Sequence, residues 1–335
     1  MQGVVRFREV TDVEGYVVGV DLGGTKILTA LADLQGRVLS KSRQLTKAKE
    51  GPEAIINQIV ASIEEVTGKA NIDNSKIRAV GVGCPGPLNV EKGIIYNTPN
   101  LNLKNVNIKE VLEAKLTAPV FIENDANAAA LGEKWFGAGQ ERDDLIYMTI
   151  STGIGGGIII NRRLYHGAND SAGEIGHIVI DPTLDVECGC GDQGCWEAIA
   201  SGTAIGRLGR EAIKQGKQSK MTDLVSEIEE IDGATVTKAA ANGDKVALGI
   251  IERVTNYLGI GVANLVNILN PEMVIIGGGV TKAGKMILEP IREIVAERAL
   301  DAPAGVVEIV SAELGDDVGV IGAIAKALVE IGVLL

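Results

Sequence analysis

Between Gly173 and Glu197 the chain reads GEIGHIVIDPTLDVECGCGDQGCWE, gathering three of its four cysteines and one of its two histidines. His177, Cys188, Cys190 and Cys195 supply one imidazole and three thiols, the donor set of a closed tetrahedral Cys₃His zinc site. Gly189, Gly191 and Gly194 let the backbone fold tightly enough to aim the thiolates at one ion. The competing reading is buried free thiols beside a surface histidine, but such clustering is uncommon without a metal. Glu174 and Glu197 bracket the cluster, and carboxylates beside a metal-stiffened loop are placed to grip a polar ligand.

A second group of residues suits phosphate chemistry. Asp21-Leu22-Gly23-Gly24-Thr25-Lys26 lies between two expected strands, whereas a P-loop opens a helix. Its glycines allow backbone N–H groups to approach phosphate oxygens, Thr25 adds a hydroxyl, and Asp21 is suited to ordering waters on Mg²⁺. An ordinary hairpin turn is the alternative for this segment alone. Thr152-Gly153-Ile154-Gly155-Gly156-Gly157 repeats the pattern, and Gly277-Gly278-Gly279 follows a third apolar strand, where ligands of α/β sheets bind. Gly81-Val82-Gly83-Cys84-Pro85-Gly86 matches a dinucleotide fingerprint literally but leads into Pro87, not a helix. A proline-stiffened loop near a substrate fits it better. Asp125, in Glu123-Asn124-Asp125-Ala126-Asn127, stands where an apolar strand gives way to an alanine-rich helix. A phosphoryl acceptor needs such a carboxylate to orient its hydroxyl and take the proton; helix capping is the alternative role.

Local periodicity predicts the elements that position these groups. Strands are expected over Tyr16–Asp21, Lys26–Ala32, Val38–Leu45, Ile77–Gly83 and Val120–Ile122, with a helix from Gly51 to about Thr67 and another over Asp125–Phe136. The pattern then restarts with a strand Leu145–Ser151, a glycine turn Gly153–Gly157 and a returning strand Ile158–Asn161. Helix is expected over Thr222–Ile231, Val246–Leu269, Lys285–Ala299 and Val318–Val333, and a strand over Met273–Ile276. With 335 residues, 46% hydrophobic and only 3% aromatic, the chain has room for two aliphatic cores. Its net charge of −12 argues against a nucleic-acid surface. No run of eighteen apolar residues marks a membrane span, the start has no signal-peptide core, and sparse cysteines suit a reducing, cytoplasmic compartment.

Taken in order, DLGGTK at 21–26, ENDANAAALGE at 123–133, GEIGH at 173–177, CGCGDQGCWE at 188–197 and IGGGV at 276–280 resemble the ROK family of bacterial sugar kinases and sugar-responsive repressors. The resemblance implies an α/β, two-domain actin-like ATPase (ribonuclease H-like) fold with an inter-domain cleft, binding ATP and a sugar. It implies a small domain over 16–123, completed by about 318–335, a large domain with the zinc loop over 124–317, and an N-terminal extension over 1–15. It makes Asp125 the base on the sugar's 6-hydroxyl, with Asn124, Glu174, His177 and Glu197 on the other hydroxyls and Gly86 and Asn100 lining the same pocket. Gly23–Lys26, Thr152–Gly153 and Gly278–Gly279 would surround the nucleotide, with Mg²⁺ and a structural Zn²⁺. Glucose is the favoured substrate. Fructose, N-acetylmannosamine and N-acetylglucosamine are alternatives, polyphosphate an alternative donor, and a homodimer or homotetramer the family's habit. The competing class, a sugar-sensing repressor, carries a DNA-binding unit, for which about fifteen residues before the first strand are too few.

Overall fold

The computed structural model describes residues 15–335, so the expected extension over 1–15 lies outside the described residues but for its last position. In chain order the elements are β1 (Tyr16–Leu22), β2 (Lys26–Asp33), β3 (Val38–Leu45), α1 (Pro52–Lys69), β4 (Ile77–Cys84), β5 (Leu88–Asn89), β6 (Ile94–Thr98), β7 (Leu103–Asn107), α2 (Ile108–Glu113), β8 (Val120–Asn124) and α3 (Asp125–Phe136). There follow β9 (Leu145–Ile150), β10 (Ile154–Ile160), β11 (Arg163–Leu164), α4 (Trp196–Ala200), α5 (Gly202–Lys214), α6 (Gly233–Ala241) and α7 (Lys245–Leu269). The chain closes with β12 (Met273–Gly277), α8 (Lys285–Arg298), α9 (Asp301–Ala304), β13 (Glu308–Ser311) and α10 (Val318–Glu330).

Two compact units emerge. One comprises the chain up to Asp143 with Gly157–Ala172 and Glu313–Leu335, the other Asp144–Gly156 with Gly173–Ala312. This division groups α3 with the first unit, whereas the expected domain boundary falls before it.

Among the described residues, the first unit is built on a five-stranded sheet of order β3-β2-β1-β4-β8. Its strands β1, β2 and β3 are antiparallel neighbours, and β4 runs parallel to both the central β1 and β8. On one face lies α1, started by Pro52 at its first turn, where a missing N–H costs nothing. Ile55, Ile56, Ile59, Ile63 and Val66 are buried at helical spacing into a core shared with Val18, Val20, Val80 and Val82. Each such side chain contributes about 1.5–3 kcal/mol on full burial. The C-terminal helix α10 packs against β1, β4 and α3. It comes so close that a Cβ on Gly19 would lie 2.5 Å from the carbonyl oxygen of Val320, and one on Gly81 would collide with that of Ala323. So Gly81 and Gly83 lie inside β4, close-packed under a helix, and only the Pro85-Gly86 end of the sequence-level fingerprint forms a loop. A small three-stranded sheet, β5-β6-β7, was not foreseen; its strands are short and their polar residues too frequent for a clean alternation.

The second five-stranded sheet has the order β11-β10-β9-β12-β13. Here β12 runs parallel to β9 and β13, and β10 antiparallel to β11. α7 is long and apolar enough to cross a membrane by length and composition, but Ile251, Val254, Leu258, Val262 and Val266 are buried in this unit's core. Two local expectations are corrected. The glycine turn expected over Gly153–Gly157 is shorter, because β10 already begins at Ile154. Gly156 and Gly157 serve close packing: added Cβ atoms would sit 2.6 Å from Ile175 Cδ1 and from the Cβ of Ala130 respectively. The exposed helix expected over Thr222–Ile231 is absent; two 3₁₀ turns, Lys220–Leu224 and Ile228–Glu230, take its place. Met221 and Ile231 are fully buried at its two ends, and Ser219, Glu227 and Glu230 side chains bind backbone N–H groups that a continuous helix would claim.

Candidate active site and metal cluster

In the first unit the capping question at Asp125 is settled by its neighbour. Asn124 is the N-cap of α3, its Oδ1 accepting the N–H groups of Ala126 at 2.9 Å and Asn127 at 3.2 Å. Asp125 is the first helical residue, with one oxygen 2.8 Å from the Ala126 nitrogen, and its side chain is exposed. A helix N-terminus by itself lowers the pKa of a carboxylate beside it. Crowding by protein raises it instead, outweighing the Ala126 N–H that lowers it. Asp21, half-buried at the end of β1, is pushed up to about 6, first by burial, then by the charge of Asp125, with Lys26 opposing. Asn100 abuts the phosphate-type turn, since a Cβ on Gly24 would lie 3.1 Å from its own Cβ. Gly86 in turn sits beside Asn124, its added Cβ falling 3.4 Å from Nδ2. The turn at Gly23 is closed by its N–H to the Lys26 carbonyl at 3.0 Å and by the Thr46 hydroxyl to the Gly23 carbonyl at 2.6 Å. Asp21, Gly23, Gly24, Thr25, Lys26, Gly86, Asn100, Asn124 and Asp125 thus all belong to the first unit.

The second unit holds Thr152, Gly153, Glu174, His177, Glu197, Gly278, Gly279 and the three clustered cysteines. Gly278 has φ +94°, and a Cβ there would meet the Ile150 nitrogen at 2.7 Å, so both conformation and space require glycine. Thr152 and Gly279 line a cavity of about 750 Å³ together with Gly202, Gly206, Arg210 and Lys282. The walls are α5 and α6, which approach backbone to backbone: a Cβ on Gly233 would lie 2.8 Å from the Gly202 carbonyl oxygen. The sequence reads 202–245 as mostly helical and polar, as α5 and α6 bear out, but not as the wall of a cavity; glycines at 202, 206 and 233 were the available signal. Arg210, Lys238 and Lys282 line the cavity, a local basic surface on an acidic chain. Gly153 answers to a carboxylate. Glu197 Oε2 accepts the Ile154 N–H at 2.9 Å, and any Cβ on Gly153 would collide with that oxygen.

The ligand atoms of His177, Cys188, Cys190 and Cys195 all lie within 4.8 Å of one another. Cys190 Sγ is 3.7 Å from Cys195 Sγ, and Cys188 Sγ is 3.6 Å from His177 Nδ1. A tetrahedral zinc with bonds of roughly 2.3 Å to sulfur and 2.0–2.1 Å to nitrogen separates two sulfurs by about 3.8 Å and a sulfur from a nitrogen by about 3.6 Å. Donor set and spacing fit a metal ion. Burial pushes the Cys188 thiol up and that of Cys195 up to about 12, while backbone donation at Asp192 lowers Cys190. A bound cation removes that penalty by deprotonating the thiols. With Nδ1 turned to the cysteines, Nε2 of His177 faces outward, 4.0 Å from Glu174 Oε2. Gly191 and Gly194 take positive φ, as the tight fold requires, whereas Gly189 has neither a positive φ nor a close neighbour.

The ROK family model matches residues 17–330. This chain belongs to the ROK family. It is 38% identical to a glucokinase of Halalkalibacterium halodurans over 92% of this chain and 93% of that protein. It is 37% identical to a xylose repressor of Caldicellulosiruptor bescii over 94% of this chain but 78% of the repressor. A ROK family glucokinase from Streptomyces griseus, solved in complex with glucose and AMPPNP, matches at 35% identity with a TM-score of 0.79, covering 93% of this chain and 99% of that one. The ROK chain has the two-domain actin-like ATPase fold of these relatives, as its sequence motifs imply.

Proposed function

We propose that this sugar kinase transfers the γ-phosphoryl group of ATP to the 6-hydroxyl of a hexose, glucose foremost, with Asp125 as the base. The observation that carries the reading is the division of labour at the start of α3: Asn124 caps the helix, leaving the exposed Asp125 carboxylate for an acceptor hydroxyl. Burial raises its pKa above the ordinary carboxylate value, which strengthens it as a base. Asn124, Gly86, Asn100, Glu174, His177 and Glu197 hold the remaining hydroxyls, His177 through Nε2 and Glu197 through the oxygen that does not bind Ile154. An epimer leaves such groups unpaired, which gives selectivity.

The cavity lined by Thr152, Gly202 and Gly279 suits the nucleoside, with Arg210, Lys238 and Lys282 offering the positive field its phosphates need. Mg²⁺ neutralises phosphate charge when bound, and Asp21, strained by burial and by Asp125, is the acid suited to its water shell. Zinc at His177, Cys188, Cys190 and Cys195 is structural on this reading, since four protein ligands leave no open position. The bodies that move are a small domain, 16–123 with 318–335, and a large domain, 124–317, in a cytoplasmic enzyme.

A repressor role is the competing reading, prompted by the xylose repressor relative. A coupled ADP-release assay across hexoses and N-acetylhexosamines decides between them. Glucose is expected to give the highest kcat/KM. Turnover of N-acetylmannosamine, N-acetylglucosamine or fructose above glucose reassigns the substrate, and no turnover with any sugar, alongside salt-sensitive DNA retention, favours the repressor.

A further inference from the structure

Behind Asp125 lies a buried ionic cluster that neither the motifs nor the relatives assign. Glu123, the residue before the N-cap, has a fully buried carboxylate. Its Oε2 lies 2.8 Å from His166 Nε2 and 3.2 Å from Lys326 Nζ. Its Oε1 accepts the backbone N–H of Asn124 at 3.1 Å and the side-chain amide of Asn127 at 3.2 Å. One carboxylate therefore ties the histidine and lysine to both sides of the turn that presents Asp125. Lys326, itself buried on α10, is shared with Glu330 at 2.7 Å. His166 is part-exposed, with 28% of its side chain accessible.

Charge counting gives the histidine its part. Lys326 alone faces two carboxylates, Glu123 and Glu330, so the cluster is one positive charge short until His166 is protonated. Asp170, on the same loop as His166, adds a third acid nearby and is itself anchored by the Val90 N–H at 3.0 Å. An uncompensated carboxylate in a buried site is costly, so deprotonating His166 loosens Glu123 and, through its Oε1 bonds, the backbone at Asn124.

We infer that His166 is a positioning residue: its protonated ring fixes Glu123, which fixes the Asn124–Asp125 turn, and turnover declines when that proton is lost. The inference rests on the kinase reading above and names a pH control on the same site. Donation to Glu123 raises the histidine's pKa above its ordinary value, with burial opposing. The stabilisation is thus fully present below the unfolded histidine's value of about 6.5 and disappears as pH rises through the higher folded value.

The test measures sugar phosphorylation against pH for the full chain, with MgATP and the best sugar from the panel, in wild type, His166→Gln and His166→Ala. Wild type is expected to lose kcat along a one-proton alkaline limb. Glutamine can still donate but cannot titrate, so His166→Gln should lack that limb. His166→Ala should lower kcat about ten-fold at neutral pH, the scale of a sub-ångström misplacement, with KM for ATP unchanged. An alkaline limb that persists in both variants overturns the inference, as does a lowered Tm with wild-type kcat and pH profile. If neither variant folds, ring-nitrogen NMR of wild-type His166 decides, a midpoint away from the kinetic limb overturning it. Retained turnover in Asp125→Asn would instead strike the kinase reading itself.

Discussion

The two large sheets share one plan. In each, the first strand of the series lies beside the second, the third is at the edge, and the fourth runs parallel to the first and fifth. The residues just past their strand ends differ. In the first sheet β8 ends in Glu123-Asn124-Asp125, acids poised on a helix terminus, and the turn is braced by a histidine and a lysine. In the second, β12 ends in Gly277-Gly278-Gly279 beside an open cavity with basic lining, and the nearby acid Glu197 belongs to a helix started by a cysteine of the metal cluster. A repeated scaffold accommodates opposite chemistry because strand order is set by buried aliphatic residues, while chemistry is set by the few residues beyond the sheet. The bracing differs too: ion pairs in one unit, a four-ligand cluster in the other.

That contrast can be broken experimentally. The largest effect is expected at the acid: Asp125→Asn should lower kcat about 10²–10⁴-fold while leaving thermal stability near wild type. The same variant should let Asp21 titrate below its value of about 6, because the Asp125 charge helps to raise it; carboxyl NMR would read this, and an unmoved Asp21 would separate the two acids. Next comes the cluster. Cys195→Ala, or chelation, should abolish metal binding and weaken sugar binding about 10–100-fold through lost hydrogen bonds from His177 and Glu197. Metal analysis and sugar titration check it, and the Asp21 titration should stay in place, since that acid is braced without the metal. Purified protein containing no zinc would remove the second kind of bracing altogether.

Smaller effects test the glycines. Gly278→Ala forces a side chain into positive φ against the Ile150 backbone, and should destabilise the fold by about 1–3 kcal/mol and raise KM for ATP. Gly189→Ala, in open space at ordinary φ, should change stability by less than about 0.5 kcal/mol in denaturant unfolding, although both glycines sit in motifs that look equally demanding on paper.

Much of the fold was legible because its signals are local. The apolar runs of β1, β4, β8 and β12 and the helical spacing in α1 and α7 mark the two cores directly, and Asp125–Phe136 was placed to the residue. The expectation failed at Thr222–Ile231, where polar side chains bind the backbone and two distant burials decide the path. It failed again at Gly155, Gly156 and Gly157, since glycine composition reads as a turn whether the cause is a turn or a tightly packed strand. Around the candidate site, the grouping of His177 with the three cysteines was visible by type and spacing. Which atom of His177 faces the cysteines was not, nor was the reason for Gly153, because both depend on neighbours remote in sequence.

By itself the chain dictated its element pattern, its doubled plan and the kinds of group available for chemistry, all of which follow from side-chain type and local period. Tertiary structure alone decided that Asn124 caps α3 so that Asp125 need not, that Asp21 titrates near 6, and that His166 and Lys326 meet Glu123 from 43 residues away in one case and from the far C-terminal helix in the other. Hydrogen bonds, desolvation and charge compensation act through space at a few ångströms, and only the folded chain sets those distances.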